Sequence, residues 1–242
     1  MGRYRGDLNW LTARPIAHRG YHDMNNEVWE NTLSAFDRAI ERDFAIECDL
    51  QLACDGVPVV FHDDDLSRLC GLQDDVRLLT SQELAMKRIG RTKDAIPTLG
   101  KLLDRAAGRV PIVLELKGRK GEDDGFVGAV LEELEDYDGP VAIMSFDHWL
   151  LEELVELDCP YPVGLTAEGI REEKFAEHEQ MMKLGLDFVS YGILHMPNRF
   201  ITEARRAGTP VITWTVRTPD MRERTEQEAD QMTFEGFDPD AA

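Results

Sequence analysis

Residues 46–62 read IECDLQLACDGVPVVFH, and this stretch decides the fold. Two strand-like runs flank Asp55-Gly56, and Asp-Gly between such runs is a strong hairpin signal. We therefore predict a strand that continues beyond its sheet, turns, and comes back as a β-hairpin excursion over residues 50–61. The returning run ends at His62, which the hairpin would bring back to the level at which the first run leaves the sheet.

Outside the hairpin, short β-branched runs alternate with longer helical patterns, as in repeated βα units. The predicted strands are Pro15–His18, Phe44–Asp49, Val110–Lys117, Val141–Ser145, Tyr161–Leu165, Asp187–Tyr191, Pro210–Val216 and Gln231–Phe234. The predicted helices are Asn31–Arg42, Ser81–Arg88, Thr98–Ala107, Gly125–Leu134, His148–Leu157, Glu172–Leu184, Asn198–Ala207 and Pro219–Ala229. This alternation predicts an α/β fold, a TIM (β/α)8 barrel. No Pro-, Ser- or Gly-rich linker divides the sequence, so we predict one domain over residues 1–242.

The net charge and the apolar content of the chain indicate which kinds of binding partner are to be expected. The formal net charge is −20, and no cluster of Lys and Arg suited to a nucleic-acid backbone is visible, so no nucleic-acid partner is expected. The same charge disfavours stable association with anionic membranes, and no stretch approaches the roughly 20 apolar residues that span a bilayer. The first residues contain no apolar run typical of a signal peptide, so we expect a cytoplasmic protein.

Acidic residues lie near the C-terminal ends of the predicted strands, where a TIM barrel builds its active site. Glu47 and Asp49 are two residues apart on one strand, so both side chains face the same side. Glu115 brings another carboxylate to the rim from the third barrel strand. Converging carboxylates repel one another unless a cation lies between them. An oxygen-rich site of this kind suits one divalent cation, Mg²⁺ or Ca²⁺, with Mn²⁺ as a third candidate.

Basic and aromatic residues accompany these carboxylates. With one divalent cation, the carboxylates together with Arg19 and Lys117 sum to about +1, which suits one phosphodiester anion. His18 and His62 end the first strand and the returning hairpin, and this joint placement makes them candidates for acid–base work. For either one alone, a hydrogen-bonded structural histidine would be the favoured interpretation. Trp214 can fill the barrel core or pack on an alkyl or glycerol group. The histidines without such a setting are interpreted as structural: His22, His148, His178 and His195.

Several motifs together resemble the glycerophosphodiester phosphodiesterase family. They occur in order from residue 16 to residue 216 and cover most of the chain. Any one of them alone is weak, whereas the ordered set is highly specific. The matching stretches are Ala17–Gly20, Glu30–Phe36, Ile46–Leu52, Asp55–Asp64, Ile96–Leu99, Leu114–Lys117, Ser145–Phe146 and Thr213–Val216.

This resemblance implies a TIM barrel enzyme that hydrolyses small-molecule glycerophosphodiesters to glycerol 3-phosphate and an alcohol. It also implies roles for the residues singled out above. The acid–base pair would be His18 and His62, the metal ligands Glu47, Asp49 and Glu115, and the phosphate-binding residues Arg19 and Lys117. Glu30 and Asn31 match a family signature at the start of the first helix, where Asn31 would touch the metal or phosphate, or cap the helix.

The sequence departs from the family pattern at Trp29, at Arg217 and over residues 231–239. Two other functions stay open at this point. One is a lysophospholipase D-like lipid phosphodiesterase, or one like phosphatidylinositol phospholipase C, which would need access to a membrane. The other is a non-catalytic barrel that binds a phosphorylated metabolite. The released alcohol, the choice of metal, the assignment of acid and base, a cyclic phosphate intermediate and the oligomeric state stay open as well.

Overall fold

The computed structural model describes residues 2–241. Eight parallel strands form a closed barrel, because β1 pairs with both β2 and β9, and β3 adds an antiparallel strand to β2. The strands are β1 (Ile16–Ala17), β2 (Ala45–Leu52), β3 (Pro58–Val60), β4 (Ile112–Leu116), β5 (Val141–Ser145), β6 (Val163–Ala167), β7 (Phe188–Gly192), β8 (Val211–Val216) and β9 (Gln231–Phe234). The predicted TIM barrel is confirmed.

Helices cover the outside of the barrel and alternate with its strands. They are α1 (Asn9–Ala13), α2 (Leu33–Glu41), α3 (Ser67–Cys70), α4 (Ser81–Leu84), α5 (Leu99–Ala106), α6 (Phe126–Leu134), α7 (His148–Glu156), α8 (Glu172–Met182), α9 (Arg199–Arg206) and α10 (Pro219–Glu228). Helices α1 and α3 were not predicted. The four residues of α3 are too few to show a helical period in the sequence.

Several predicted boundaries were wrong for local reasons. The helix predicted from Asn31 begins at Leu33, because Asn31 has a positive φ of 54° and Thr32 caps the helix by accepting a hydrogen bond from the amide of Ala35. The helix predicted to reach Arg88 ends at Leu84. Beyond it the chain turns back, and an isolated bridge forms between residues 88 and 95.

The hairpin excursion over residues 50–61 is confirmed. Leu50 pairs with Val60, and Gly56 supplies the left-handed turn with a φ of 79°. The amide of Phe61 donates to the carbonyl of Asp49 at 3.0 Å. His62 therefore returns to the level of Asp49 on β2, as the sequence predicted.

Three apolar clusters hold these layers together. The largest lies between the barrel and its helices, and a second fills the lower barrel interior with residues such as Ile16, Val113 and Phe188. The third is a satellite core under the excursion, which includes Phe61 and Leu66. Among the described residues, no helix combines the length and apolarity required to cross a bilayer.

Candidate active site

A cavity of about 240 Å³ opens at the C-terminal ends of the barrel strands. Catalytic groups of a TIM barrel are expected at this end. The structure brings together here the predicted acid–base, metal-binding and phosphate-binding candidates and the predicted aromatic residue: His18, Arg19, Glu47, Asp49, His62, Glu115, Lys117 and Trp214.

Three buried carboxylates form one wall of the cavity. Glu47 and Asp49 face inward from β2, and the register pairs Asp49 with Glu115 on β4. Each of the three carboxylates offers an oxygen atom within 4.8 Å of the others. Burial, together with the charges of Asp49 and Glu115, raises the pKa of Glu47 well above its usual range. Glu47 Oε1 is buried and has no hydrogen-bond partner among the described residues. Crowded, incompletely satisfied carboxylate oxygens fit a hard divalent cation.

Two basic side chains partly neutralise this cluster. Lys117 Nζ lies 3.3 Å from Asp49 Oδ1 and also contacts Glu115, and Arg19 Nε lies 3.2 Å from Asp49 Oδ2. Burial alone would raise the pKa of Asp49, but Lys117 and Arg19 outweigh it and hold this pKa below its usual range. These cations favour the ionised form of Asp49, whereas burial and the two neighbouring carboxylates keep the pKa of Glu47 high.

The loop after β1 is held against the carboxylates by its backbone. Arg19 has a φ of 56°, and its amide donates to Glu47 Oε2 at 2.9 Å. The amide of Gly20 donates to the Glu47 carbonyl at 3.2 Å. A Cβ atom on Gly20 would lie 2.8 Å from the Cβ of Ala35, and its φ is 79°, so only glycine fits this turn. Gly20 therefore forms a tight turn directly after the end of β1.

The two imidazoles predicted for acid–base work, those of His18 and His62, each contact a carboxylate through Nδ1. His18 Nδ1 lies 2.6 Å from Glu235 Oε2, and His62 Nδ1 lies 2.7 Å from Asp63 Oδ1. Both contacts assign Nε2 as the ring nitrogen available for proton transfer. The Nε2 atom of His18 is 4.0 Å from Glu47 Oε2, beside the carboxylate cluster. Burial lowers the pKa of His18 despite its contact with Glu235, which favours the neutral ring.

Glu30 and Asn31 contact the cavity residues from behind and do not line the cavity itself. Asn31 Nδ2 donates to Asp49 Oδ2 at 2.8 Å, so Asn31 orients a carboxylate instead of capping α2. Glu30 accepts hydrogen bonds from Arg19 at 2.6 Å and from Arg68 at 2.8 Å. Burial opposes ionisation of Glu30, but its arginine partners outweigh burial and lower its pKa to about 2.

Arg68 was not identified from the sequence. It lies on α3, which follows the hairpin excursion, and its Nε donates to Asp63 Oδ2 at 2.6 Å while its Nη atoms donate to Glu30. One guanidinium thus connects Asp63, which contacts His62, with Glu30, which contacts Arg19. No local pattern marks this arginine, because its partners are brought together only by the packing of the satellite core against the barrel.

Other cavity residues were also missed. Phe146 packs edge-to-face on Trp214 with ring centroids 5.3 Å apart. His195, interpreted from the sequence as structural, lines the cavity, and its Nδ1 lies 3.7 Å from Glu168 Oε2. The rule of strand ends could have found Glu235 and Glu168, since each directly follows a barrel strand.

We expect Glu30→Gln to reduce stability most at neutral pH. Because folding lowers the pKa of Glu30 from an ordinary 4.5 to about 2, its stabilising contribution is complete above pH 4.5 and is lost as the pH falls towards 2. The shift corresponds to roughly 3 kcal/mol. Urea unfolding in EDTA should therefore show a large difference between the two proteins at pH 7 that shrinks at pH 3.5. A difference independent of pH would contradict this account.

Comparisons with known proteins agree with this geometry. The model of the Glycerophosphoryl diester phosphodiesterase family matches residues 18–238. A glycerophosphodiester phosphodiesterase of Caldanaerobacter subterraneus is 27% identical over 219 residues, 86% of this chain and 88% of the relative. A solved glycerophosphodiester phosphodiesterase of Thermotoga maritima is 28% identical, with a TM-score of 0.73 over 91% of this chain and 94% of its own. An Oleispira antarctica phosphodiesterase, solved with the product sn-glycerol-3-phosphate, shares the fold at 24% identity, with a TM-score of 0.82 over 92% of each chain.

Proposed function

The chain belongs to the glycerophosphoryl diester phosphodiesterase family and is a phosphoric diester hydrolase, and from this premise we propose that it acts through His18 and His62 beside a carboxylate-bound divalent cation. Its proposed substrates are small glycerophosphodiesters, which it cleaves to glycerol 3-phosphate and an alcohol. The observation that carries the mechanism is the presence of two imidazoles and three clustered carboxylates in one cavity.

Glu47, Asp49 and Glu115 are the residues that would hold the cation, with Mg²⁺ or Ca²⁺ as the expected ion and Mn²⁺ as an alternative. When bound, such an ion draws charge from the non-bridging oxygens of a phosphodiester in the transition state. The repulsion that raises the pKa of Glu47 supports this role, because a divalent cation relieves it.

His18 and His62 would share the proton transfers. One imidazole takes a proton at Nε2 from the attacking hydroxyl, and the other donates a proton from Nε2 to the leaving oxygen. Glu235 and Asp63 hold the opposite nitrogens, so neither ring has to reorient between substrate binding and proton transfer. General acid–base catalysis of this kind contributes about 10²- to 10⁴-fold to the rate.

Arg19 and Lys117 would bind the phosphate oxygens at the same end of the cavity. Both are held beside Asp49. Burial lowers the pKa of Arg19, but the neighbouring carboxylates Asp49 and Glu30 raise it by more. Their charge is therefore retained when water is displaced. A buried cation of this kind stabilises a developing negative charge more strongly than an exposed one.

Three apolar side chains line one part of the cavity and suit the glycerol or alcohol part of the substrate. Phe146, Leu194 and Trp214 come from the ends of β5, β7 and β8, whereas the carboxylates come from β2 and β4. The side of the substrate that reacts would face charged groups, and its carbon-bearing part would face these three side chains.

A panel of glycerophosphodiesters and lysophospholipids, assayed for release of glycerol 3-phosphate and of the free alcohol, tests the proposal. We expect glycerol 3-phosphate from the glycerophosphodiesters, abolition of turnover by EDTA, and recovery with Mg²⁺, Ca²⁺ or Mn²⁺. Preferential cleavage of lysophospholipids would favour the lipid phosphodiesterase. Binding without turnover in all three metals would favour a non-catalytic barrel. Full activity in EDTA would refute the metal-dependent mechanism.

A further inference from the structure

The carboxylate that contacts His18 is itself fixed by an arginine. Glu235 directly follows β9, and its backbone amide donates to the carbonyl of Val216 at 3.1 Å. Its Oε2 atom lies 2.6 Å from His18 Nδ1, and its Oε1 atom accepts a hydrogen bond from Arg217 Nε at 2.6 Å. The backbone amide of His18 also donates to the Phe234 carbonyl at 2.9 Å. His18 and the end of β9 are therefore joined by side-chain and by backbone hydrogen bonds.

We infer that Glu235, held by Arg217, is a positioning residue for His18, an inference that rests on the acid–base role proposed above. Glu235 accepts a hydrogen bond from the Nδ1–H group of His18 and so fixes both the tautomer and the orientation of the ring. Nε2 is thereby directed to the cavity in the form that exchanges a proton with substrate. An imidazole without such a partner distributes its proton between both nitrogens and turns about its side-chain bonds.

The ionisation state of Glu235 suits this task. Burial opposes its negative charge, but the hydrogen-bonded contact with His18 and the hydrogen bond from Arg217 help to outweigh burial and lower the pKa of Glu235 far below its usual range. It remains an acceptor for Nδ1–H under ordinary conditions. A carboxylate held at two oxygens by two donors also has little freedom to move.

The second imidazole has an equivalent arrangement built from different elements. Asp63 contacts His62 Nδ1 at 2.7 Å, and Arg68 Nε donates to the other oxygen of Asp63 at 2.6 Å. The carboxylate and the guanidinium of the first arrangement directly follow β9 and β8, and those of the second lie in the segment between the hairpin excursion and the end of α3. In both cases an imidazole contacts a carboxylate and the carboxylate contacts a guanidinium. This repetition is expected if the orientation of the rings matters to catalysis, and folding of these segments does not by itself require it.

A structural ion pair between Arg217 and Glu235 is the competing explanation. Such a pair would stabilise the strand ends whether or not an imidazole were present at residue 18. The positioning role makes a different claim, because the effect of Glu235 on turnover then depends on His18. A double-mutant cycle separates the two explanations.

The test combines Glu235→Gln, Arg217→Met, His18→Ala and the double variant His18→Ala/Glu235→Gln. We expect Glu235→Gln to lower kcat about 10- to 100-fold with KM changed less than about threefold, since the amide preserves shape but not charge. Arg217→Met, in which Glu235 is retained, should show a smaller loss in the same direction. The double variant should be no slower than His18→Ala. The metal-induced rise in Tm should be unchanged in Glu235→Gln.

Glu226→Gln is the matched control, because Glu226 pairs with Arg222 on the exposed side of α10 and should leave kcat unchanged. The positioning role is refuted if Glu235→Gln retains kcat within twofold, or if its loss adds fully to that of His18→Ala. Near-normal turnover of His18→Ala would overturn the proposed acid–base role together with this inference. An impaired His18→Ala beside an unimpaired Glu235→Gln would overturn the inference alone.

Discussion

Replacing His62 with alanine should lower kcat about 10²- to 10⁴-fold while the barrel remains folded, and replacing His18 should have an effect of the same order. Each substitution removes a nitrogen that would transfer a proton to or from a reacting oxygen. Both side chains line the cavity, so each replacement enlarges an existing open space instead of creating a closed void in the apolar core. Steady-state kinetics with a glycerophosphodiester, together with thermal unfolding of each variant, measures this effect.

His148→Ala provides the matched control for these two substitutions. His148 is the first residue of α7 and does not line the cavity, so its replacement should leave kcat near the wild-type value. Near-normal turnover in both cavity variants would mean that other groups transfer the protons. If one of the two cavity variants fails to fold, its Tm will be lowered. The catalytic effect is then measured on the other cavity variant, which remains folded.

Glu47→Gln should have opposite effects on stability and on activity. Burial and the neighbouring Asp49 and Glu115 raise the pKa of Glu47 in the folded chain, so above the pKa of the unfolded chain its ionisation works against folding. Glutamine keeps the shape and can still accept the hydrogen bond from the amide of Arg19, without the charge. We therefore expect a higher Tm in EDTA at pH 7 and, with metal present, a loss in kcat/KM of at least about 10²-fold.

The rise in Tm on addition of metal tests the role of Glu47 without a measurement of turnover. Wild-type protein should gain stability when Mg²⁺, Ca²⁺ or Mn²⁺ is added, because a ligand that binds the folded chain shifts the equilibrium towards it. Glu47→Gln should lose most of that gain. Glu226→Gln, which changes an exposed carboxylate on α10, should keep it in full. A variant that is destabilised in EDTA yet keeps the full metal-induced gain would contradict the role of Glu47.

The elements of the fold could be predicted because their signals are local. Val141–Ser145 and Gln231–Phe234 are strands over the predicted residues, and Asp55-Gly56 forms the predicted turn. The errors fall where a side chain or a positive φ overrides the periodic pattern. Asn31 illustrates this, since its left-handed backbone delays the start of α2 by two residues relative to the prediction.

The parts of the site that could be predicted are those that follow from strand geometry. Glu47 and Asp49 had to share a face because they are two residues apart, and the ends of parallel strands had to meet at one rim. Arg68 had no such signal, and for Glu235 and Arg217 the strand ends indicate the rim of the barrel but not the contact partners. Glu235 is 217 residues from His18 in the chain, and only closure of the barrel between β9 and β1 brings the two into contact.

The sequence by itself determined the class of fold, the inward carboxylates and the two histidines, because periodicity and strand ends are properties of short segments. Only the tertiary structure decided which carboxylate contacts each imidazole, which guanidinium fixes that carboxylate, and that Asn31 orients Asp49 instead of capping a helix. The physical reason is that hydrogen bonds between distant segments depend on differences of an ångström or less in packing. No local pattern in the chain records distances of that kind.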